Sequence, residues 1–308
     1  MLQYLIILLD DTSTSFCHYE SARTEQRLVP LKTLRAGIRF GMMENLMIQY
    51  VYPDYELPAE YDELIESIDH SKIKPTRENA DVWVTDDICD VKADVPVVWR
   101  TDKQGMFAHE SDIIKTLTNV SRLNIVLTDI ETFTDEYFDI YKALLSRLSA
   151  KVETMFVDGK SPQLNLLTDR MMITQMNNCG AGDTTITLAP NGKFYVCPAF
   201  YYADEKDCIG DLEHGLDIKN KQLYKLEYAP ICRHCDAYHC KRCIWLNRKT
   251  TFEVNTPSHE QCVVAHLERN TSRDLLNHIR KHGTFLPDHE EIKEIDYLDP
   301  FNIVNRWK

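Results

Sequence analysis

Twelve consecutive residues, Cys232-Arg-His-Cys-Asp-Ala-Tyr-His-Cys-Lys-Arg-Cys243, carry four cysteines in two Cys-x2-Cys pairs only four residues apart. A Cys-x2-Cys turn puts two thiolates on one short loop, both facing a single metal. Two such pairs in tandem are too dense for chance placement, and in a reducing compartment such clustering points to metal, not to disulfides. Four-cysteine zinc and a four-thiolate iron–sulfur cluster both satisfy the run. Zinc at the four clustered residues leaves Cys179, Cys197 and Cys262 unexplained. Those three with the four make seven, one short of two four-ligand sites. The eighth ligand is then Cys208, a histidine, or no protein group.

The remaining composition narrows the class. A net charge of −13 argues against nucleic acid as a partner. No run approaches the roughly 18 apolar residues of a membrane span. The apolar start of the chain is short, lacks a basic flank and runs into Asp10-Asp11, so it reads as a buried strand and not a signal peptide. The expected location is cytoplasmic.

Apolar runs at 3–9, Met47–Pro53, Ala80–Asp86, Val95–Arg100, Leu123–Asp129 and Val152–Asp158 read as strands. Helical spacing occurs between them: a helix opened by Pro30 and carrying Leu31, Leu34 and Ile38, another over Ala59–Ile68, one capped by Ser111, and a long one capped by Thr134. Strands alternating with helices imply an α/β fold with a mostly parallel sheet. A closed eight-unit barrel needs about 250 residues, so the first part, residues 1–170, is expected to be a partial barrel or a small open sheet. From about Asn177 the chain becomes loop-rich. A cysteine-rich domain over 171–282 follows, with a last helix around Val263–His282, then an acidic tail over 283–308.

The order Cys, gap, Gly-x4-Cys (Gly192 to Cys197), gap, Cys-x2-Cys-x4-Cys-x2-Cys, gap, Cys resembles the SPASM domain. "NGKFYVCP" (Asn191–Pro198) looks like its hairpin and "CIGDL" (Cys208–Leu212) like the segment that follows. The resemblance covers roughly Asn177 to His266 and implies an α+β domain with two auxiliary 4Fe–4S clusters. Carried over by position, it implies Cys232, Cys235, Cys240 and Cys262 as ligands of one cluster. Cys179, Cys197 and Cys243 would hold the other, with Cys208 as its fourth ligand. The spacing inside the four-cysteine run is shorter here than is usual for that domain.

Just after the first strand stands Ser13-Thr-Ser-Phe-Cys17-His-Tyr-Glu20. It resembles the CxxxCxxC motif of radical S-adenosylmethionine enzymes, with Ser13 and Glu20 at the outer cysteine positions and only Cys17 retained. A serine hydroxyl must lose a proton to bind iron, and a carboxylate is hard where iron–sulfur sites favour soft thiolate. Nothing after "MIQYVYP" matches the Gly-Gly-Glu segment that binds the cofactor's amino group. Reductive cleavage of S-adenosylmethionine is therefore expected to be lost.

A degenerate first motif with a SPASM-like tail, together with Leu34–Ile65, resembles the CXXX repeat peptide maturases. That resemblance implies an iron–sulfur protein of peptide maturation. Its partners would be a substrate or leader peptide and a sister radical enzyme. Two alternatives stand beside it: a zinc-stabilised, non-catalytic binding module using Cys232, Cys235, Cys240 and Cys243, and an enzyme remade around Cys17, His18 and Glu20. Among residues outside these motifs, Cys89 reads as an ordinary half-buried thiol, and His234 and His239 read as facing solvent. Met42, Met43 and Met47 read as core. Asp10-Asp11 lies where ligands gather at the end of a parallel strand.

Overall fold

The computed structural model describes residues 1–21 and 23–287; most of the expected acidic tail lies outside the described residues. In chain order the elements are β1 (Tyr4–Leu8), α1 (Leu31–Met43), β2 (Met47–Val51), α2 (Ala59–Ile65), β3 (His70–Lys74) and β4 (Val82–Thr85). Next come β5 (Ala93–Thr101), α3 (Lys103–Ala108), α4 (Glu110–Leu117), β6 (Val120–Leu127) and α5 (Asp135–Val157). Then follow β7 (Thr185–Leu188), β8 (Phe194–Tyr195), α6 (Pro198–Ala203), β9 (Gly210–Asp211), β10 (Gly215–Leu216), α7 (Ile244–Thr251) and α8 (His259–His282). The chain is a mixed α/β protein with mostly parallel strands, as its alternating periodicity implies. Among the described residues, no helix is long and apolar enough to cross a membrane.

The first compact unit comprises Met1–Thr85 and Cys179–Tyr228. Its strands lie in the order β4-β3-β2-β1-β7-β8. Every pairing is parallel except the β7–β8 hairpin. β1 is central, with Leu5 opposite Ile48 on one side and Ile186 on the other. Leu5, Ile7 and Leu8 are fully buried, as expected of a strand covered on both faces. The strands of this unit form an open sheet, not a closed barrel. Helix α1 lies close against it because its buried face includes Gly37 and Gly41. A Cβ at Gly41 would stand 2.7 Å from Ile48 Cδ1, and one at Gly37 would run into Leu188. The strand β3, His-Ser-Lys-Ile-Lys, carries too little apolar residue to show in the sequence; its backbone pairs with β2 from Ile48–His70 to Val51–Ile73.

The second unit comprises Asp86–Asn178 and the chain from Ala229 on. Strands β5 and β6 pair in parallel, Val97 opposite Leu123. Asn165 extends the edge of β6 with its side chain: Oδ1 accepts from Ile125 N at 2.8 Å and Nδ2 donates to Ile125 O at 2.9 Å. Helix α5 packs along α8. It runs through Val152–Asp158, where a strand was expected. Leu145, Leu148, Val152 and Met155 continue a three-to-four residue spacing on its buried face, so helical burial outweighs the local β-branched character. Ser111 is likewise inside α4, which His109 precedes as N-cap. Met42 and Met43, expected in the core, are 63% and 78% exposed, because α1 turns its glycine face, not these residues, to the sheet; Met47, also expected in the core, opens β2 and is 65% exposed.

Candidate metal centre

In the second unit, Cys232, Cys235, Cys240 and Cys262 converge on one cavity of about 20 Å³, lined also by Met176, Ala237, Gln261 and His266. Cys232 opens a single 3-10 turn, Cys232–His234, and Cys235 N closes it on Cys232 O at 3.1 Å. Cys262 comes from the first turn of α8. Each Cys-x2-Cys pair offers a backbone donor to sulfur: Ala237 N–H to Cys235 Sγ at 3.4 Å, and Arg242 N–H to Cys240 Sγ at 3.5 Å. Such donors favour thiolate over thiol, and hydrogen bonds to cluster sulfurs tune a bound cluster. Burial acts the other way. It pushes the Cys232 and Cys235 thiols up to about 12 and raises that of Cys240. A bound cation reverses this, because a coordinating thiol is deprotonated outright.

Tetrahedral zinc with Zn–S of about 2.3 Å brings its sulfurs to about 3.8 Å from one another. Among the described residues, no three of these four sulfurs lie mutually within 4.8 Å. Four cysteines around a common cavity offer the soft donor set that a four-thiolate zinc ion or a four-iron cluster uses.

A buried polar framework holds the cysteine loops. The Asp236 carboxylate, 1% exposed, receives Arg269 Nη1 at 2.5 Å, and Arg170 Nε donates to the Asp236 carbonyl at 2.9 Å. Asp236 is the residue between Cys235 and the Ala237 amide, so both arginines fix the turn that presents sulfur. His266 Nε2 is 3.5 Å from Cys235 Sγ. Burial, with Arg269 nearby, pushes its imidazole down to about 4, so the ring is neutral at pH 7. His239, expected in solvent, is buried and its Nε2 lies 3.0 Å from Glu268, whose other oxygen accepts from Tyr141 at 2.6 Å. His234 is exposed. Sequence reading missed Asp236, His266, Glu268 and Arg269. Three of them sit on α8 within two turns of Cys262, and for His266 and Arg269, four and seven residues on, helical spacing from that cysteine was the available signal.

The other set of expected ligands is divided. Cys179, Cys197 and Cys208 belong to the first unit and Cys243 to the second. Cys197 precedes α6 as its N-cap. Cys243 caps α7, its Sγ accepting from Leu246 N–H at 3.4 Å.

The segment after β1 is built for structure at its first position. Ser13 is 1% exposed; its Oγ accepts from Asp10 N–H at 3.0 Å and donates to Val51 O at 2.8 Å. Cys17 is half-buried and Glu20 exposed. Tyr19 is buried, its ring stacked on Tyr202 at 5.6 Å. Its phenol is held well above the usual value by burial, and then by Tyr202, Cys17 and Cys197. Asp11, also buried, anchors a charged group: Arg27 Nε at 2.7 Å, Arg23 Nη1 at 3.1 Å and the Tyr201 hydroxyl. Arg23 further stacks over the Tyr201 ring at 4.0 Å. Asp11 thus ties the loop after β1 to α6.

No protein-family model and no curated protein sequence matches the chain. Its structure is similar to those of anSMEcpe, an anaerobic sulfatase-maturating radical S-adenosylmethionine enzyme with a SPASM domain. The histidine-tagged form of that enzyme, with bound AdoMet, matches with a TM-score of 0.66 at 12% identity, over 91% of this chain and 96% of that one. The native enzyme with bound AdoMet and Cp18Cys peptide matches with a TM-score of 0.63 at 13% identity, over 91% and 100%. Its complex with AdoMet and Kp18Cys peptide gives 0.63 at 12%, over 90% and 99%. The chain therefore shares the fold of that enzyme.

Proposed function

We propose that this chain is an iron–sulfur protein of peptide maturation, of the CXXX repeat peptide maturase type, that assists a sister radical enzyme and does not itself cleave S-adenosylmethionine. The domain assignment belongs to this reading: 1–170 a degenerate radical-enzyme partial barrel, 171–282 the SPASM-like domain. The observation that carries it is the contrast between two sites. Cys232, Cys235, Cys240 and Cys262 line one cavity, and Cys235 and Cys240 each have a backbone N–H group aimed at sulfur. After β1, the residue in the first ligand position is a serine whose hydroxyl is engaged by two backbone groups.

Within this reading, Cys232, Cys235, Cys240 and Cys262 hold one 4Fe–4S cluster, and the second ligand set that the SPASM resemblance implies holds the other. A bound cluster would supply one-electron transfer. The protein's share is to bury the sulfurs, orient them through Asp236, Arg170 and Arg269, and exclude water. The peptide complexes of anSMEcpe support a peptide as the ligand of this fold. Unbridged thiols in quantity suit a reducing, cytoplasmic location.

Iron, acid-labile sulfide and zinc per chain, measured on protein purified without oxygen, test the reading. About eight irons, unchanged by Cys17→Ala, are expected from four per cluster. Near-zero iron with stoichiometric zinc refutes the cluster assignment. About twelve irons, falling toward eight in the variant, refute the loss of the first site.

A further inference from the structure

The loop ahead of β5 meets the first turn of α4 at a second group of metal-binding donors, in the same unit as the cysteine cavity but sharing no residue with it. Cys89, on the loop, is exposed; His109 is the N-cap of α4, and Asp112 follows three residues later. Their donor atoms lie mutually within 4.8 Å. Cys89 Sγ is 4.0 Å from His109 Nδ1 and 4.0 Å from Asp112 Oδ2, and those two atoms are 2.8 Å apart.

Two kinds of chemistry use such a set. A Cys–His–Asp nucleophile relay needs the thiol and the carboxylate on opposite ring nitrogens, so that one fixes the tautomer while the other receives the proton. Here both approach Nδ1, and the relay is excluded. Convergence of all three on one point is instead what a single ion requires. Zinc bond lengths with tetrahedral angles put thiolate and imidazole about 3.6 Å apart, and imidazole and carboxylate about 3.3 Å apart. The observed separations differ from these by about 0.5 Å, within the reach of small rotamer changes in accessible side chains. The spacing is thus of single-ion size.

The group is also held in place before any ion arrives. Trp99 of β5, 1% exposed, donates from Nε1 to Asp86 O at 3.1 Å, which fixes the start of the loop. The same indole meets the His109 ring edge-on, at 6.1 Å and 85°. Asp87 Oδ1 accepts from Cys89 N–H at 2.8 Å, shaping the turn that carries the thiol and adding negative charge beside it. Thiolate and imidazole select against magnesium and calcium, which take oxygen ligands.

We propose that Cys89, His109 and Asp112 bind one zinc ion, with water at the fourth position, clamping the loop ahead of β5 to the start of α4. Three protein ligands and an accessible fourth position are the arrangement of an open zinc site.

The test uses the full chain, purified without oxygen with its iron in place. Wild type, Cys89→Ala and Asp112→Asn are equilibrated with zinc sulfate and desalted, and zinc and iron are counted in the same samples. Wild type should retain about one zinc per chain more than Cys89→Ala, and Asp112→Asn should bind at least tenfold more weakly. Cobalt in place of zinc should give a thiolate-to-cobalt absorption band that Cys89→Ala abolishes. Equal zinc in wild type and both variants, or no cobalt–thiolate band in wild type, overturns the proposal. The reading is a difference between variants, so zinc at the four-cysteine cavity, which would refute the iron–sulfur assignment, adds equally to all samples and leaves this result interpretable. Unchanged iron in Cys89→Ala shows that the variant has kept its fold.

Discussion

Replacing Ser13 by alanine separates a structural hydroxyl from a degenerate ligand. The hydroxyl is buried and makes two hydrogen bonds, to Asp10 N–H at 3.0 Å and to Val51 O at 2.8 Å. The Val51 carbonyl keeps a second donor, Leu9 N–H at 3.1 Å, so its loss is the smaller, about 1 kcal/mol or less. The Asp10 amide is left buried with its side-chain acceptor gone, which costs about 1–3 kcal/mol. A total near 2–3 kcal/mol, at about 4 °C per kcal/mol for a unit of this size, lowers the melting temperature by roughly 10 °C. Near-ultraviolet circular dichroism of anaerobic protein, heated with and without urea, reads this directly. The double variant Ser13→Cys, Glu20→Cys restores three-thiolate spacing in sequence, yet position 13 faces the backbone of β2. It should gain no iron and lose stability, since a thiol is a weak donor and acceptor. A Ser13→Ala protein melting within about 2 °C of wild type, or a double variant that gains about four irons, would refute the reasoning.

Three further outcomes follow from the same geometry. Serine at any one of positions 232, 235, 240 or 262 should remove about four irons per chain while leaving the remainder; retention of full iron in any of the four would remove that residue from the cavity's ligand set. Tyr141→Phe deletes a buried hydrogen bond to the Glu268 carboxylate at 2.6 Å and should lower stability by about 1.5–3 kcal/mol, seen as a lower urea midpoint with unchanged slope; an unmoved midpoint contradicts the charged pairing. His214 Nδ1 lies 3.0 Å from Asp211, and that hydrogen bond, then the carboxylate's charge, raises its imidazole above the ordinary 6.5. A raised folded value means the pairing is complete below pH 6.5 and fades as pH rises through the folded value. The NMR midpoint of His214 should fall in Asp211→Asn, and an unchanged midpoint counts against the pair.

The linear chain determined the donor chemistry of the candidate site and the class of fold. The two Cys-x2-Cys pairs announce a set of sulfur donors because donor type and close spacing are properties of the chain itself. Alternation of apolar strands with helical stripes announced a parallel α/β sheet for the same reason, since each element must bury a face of its own period. Tertiary structure decided what depends on partners distant in sequence. The strand β3 exists because β2 offers it a ladder, not because His-Ser-Lys-Ile-Lys favours extension. The helix α5 runs through an apparent strand because its buried face continues past Leu148. Met42 and Met43 lie outside because Gly37 and Gly41 let the other face of α1 approach the sheet. Ser13, legible only as a missing cysteine, proved a buried hydroxyl held by Asp10 and Val51. Asp236, clamped by Arg170 and Arg269, carries no linear signature, because residues 66 and 33 positions away meet it only after folding. Cys89, an ordinary thiol in the sequence, gained His109 and Asp112 in the same way: the loop ahead of β5 folds back on the turn that opens α4.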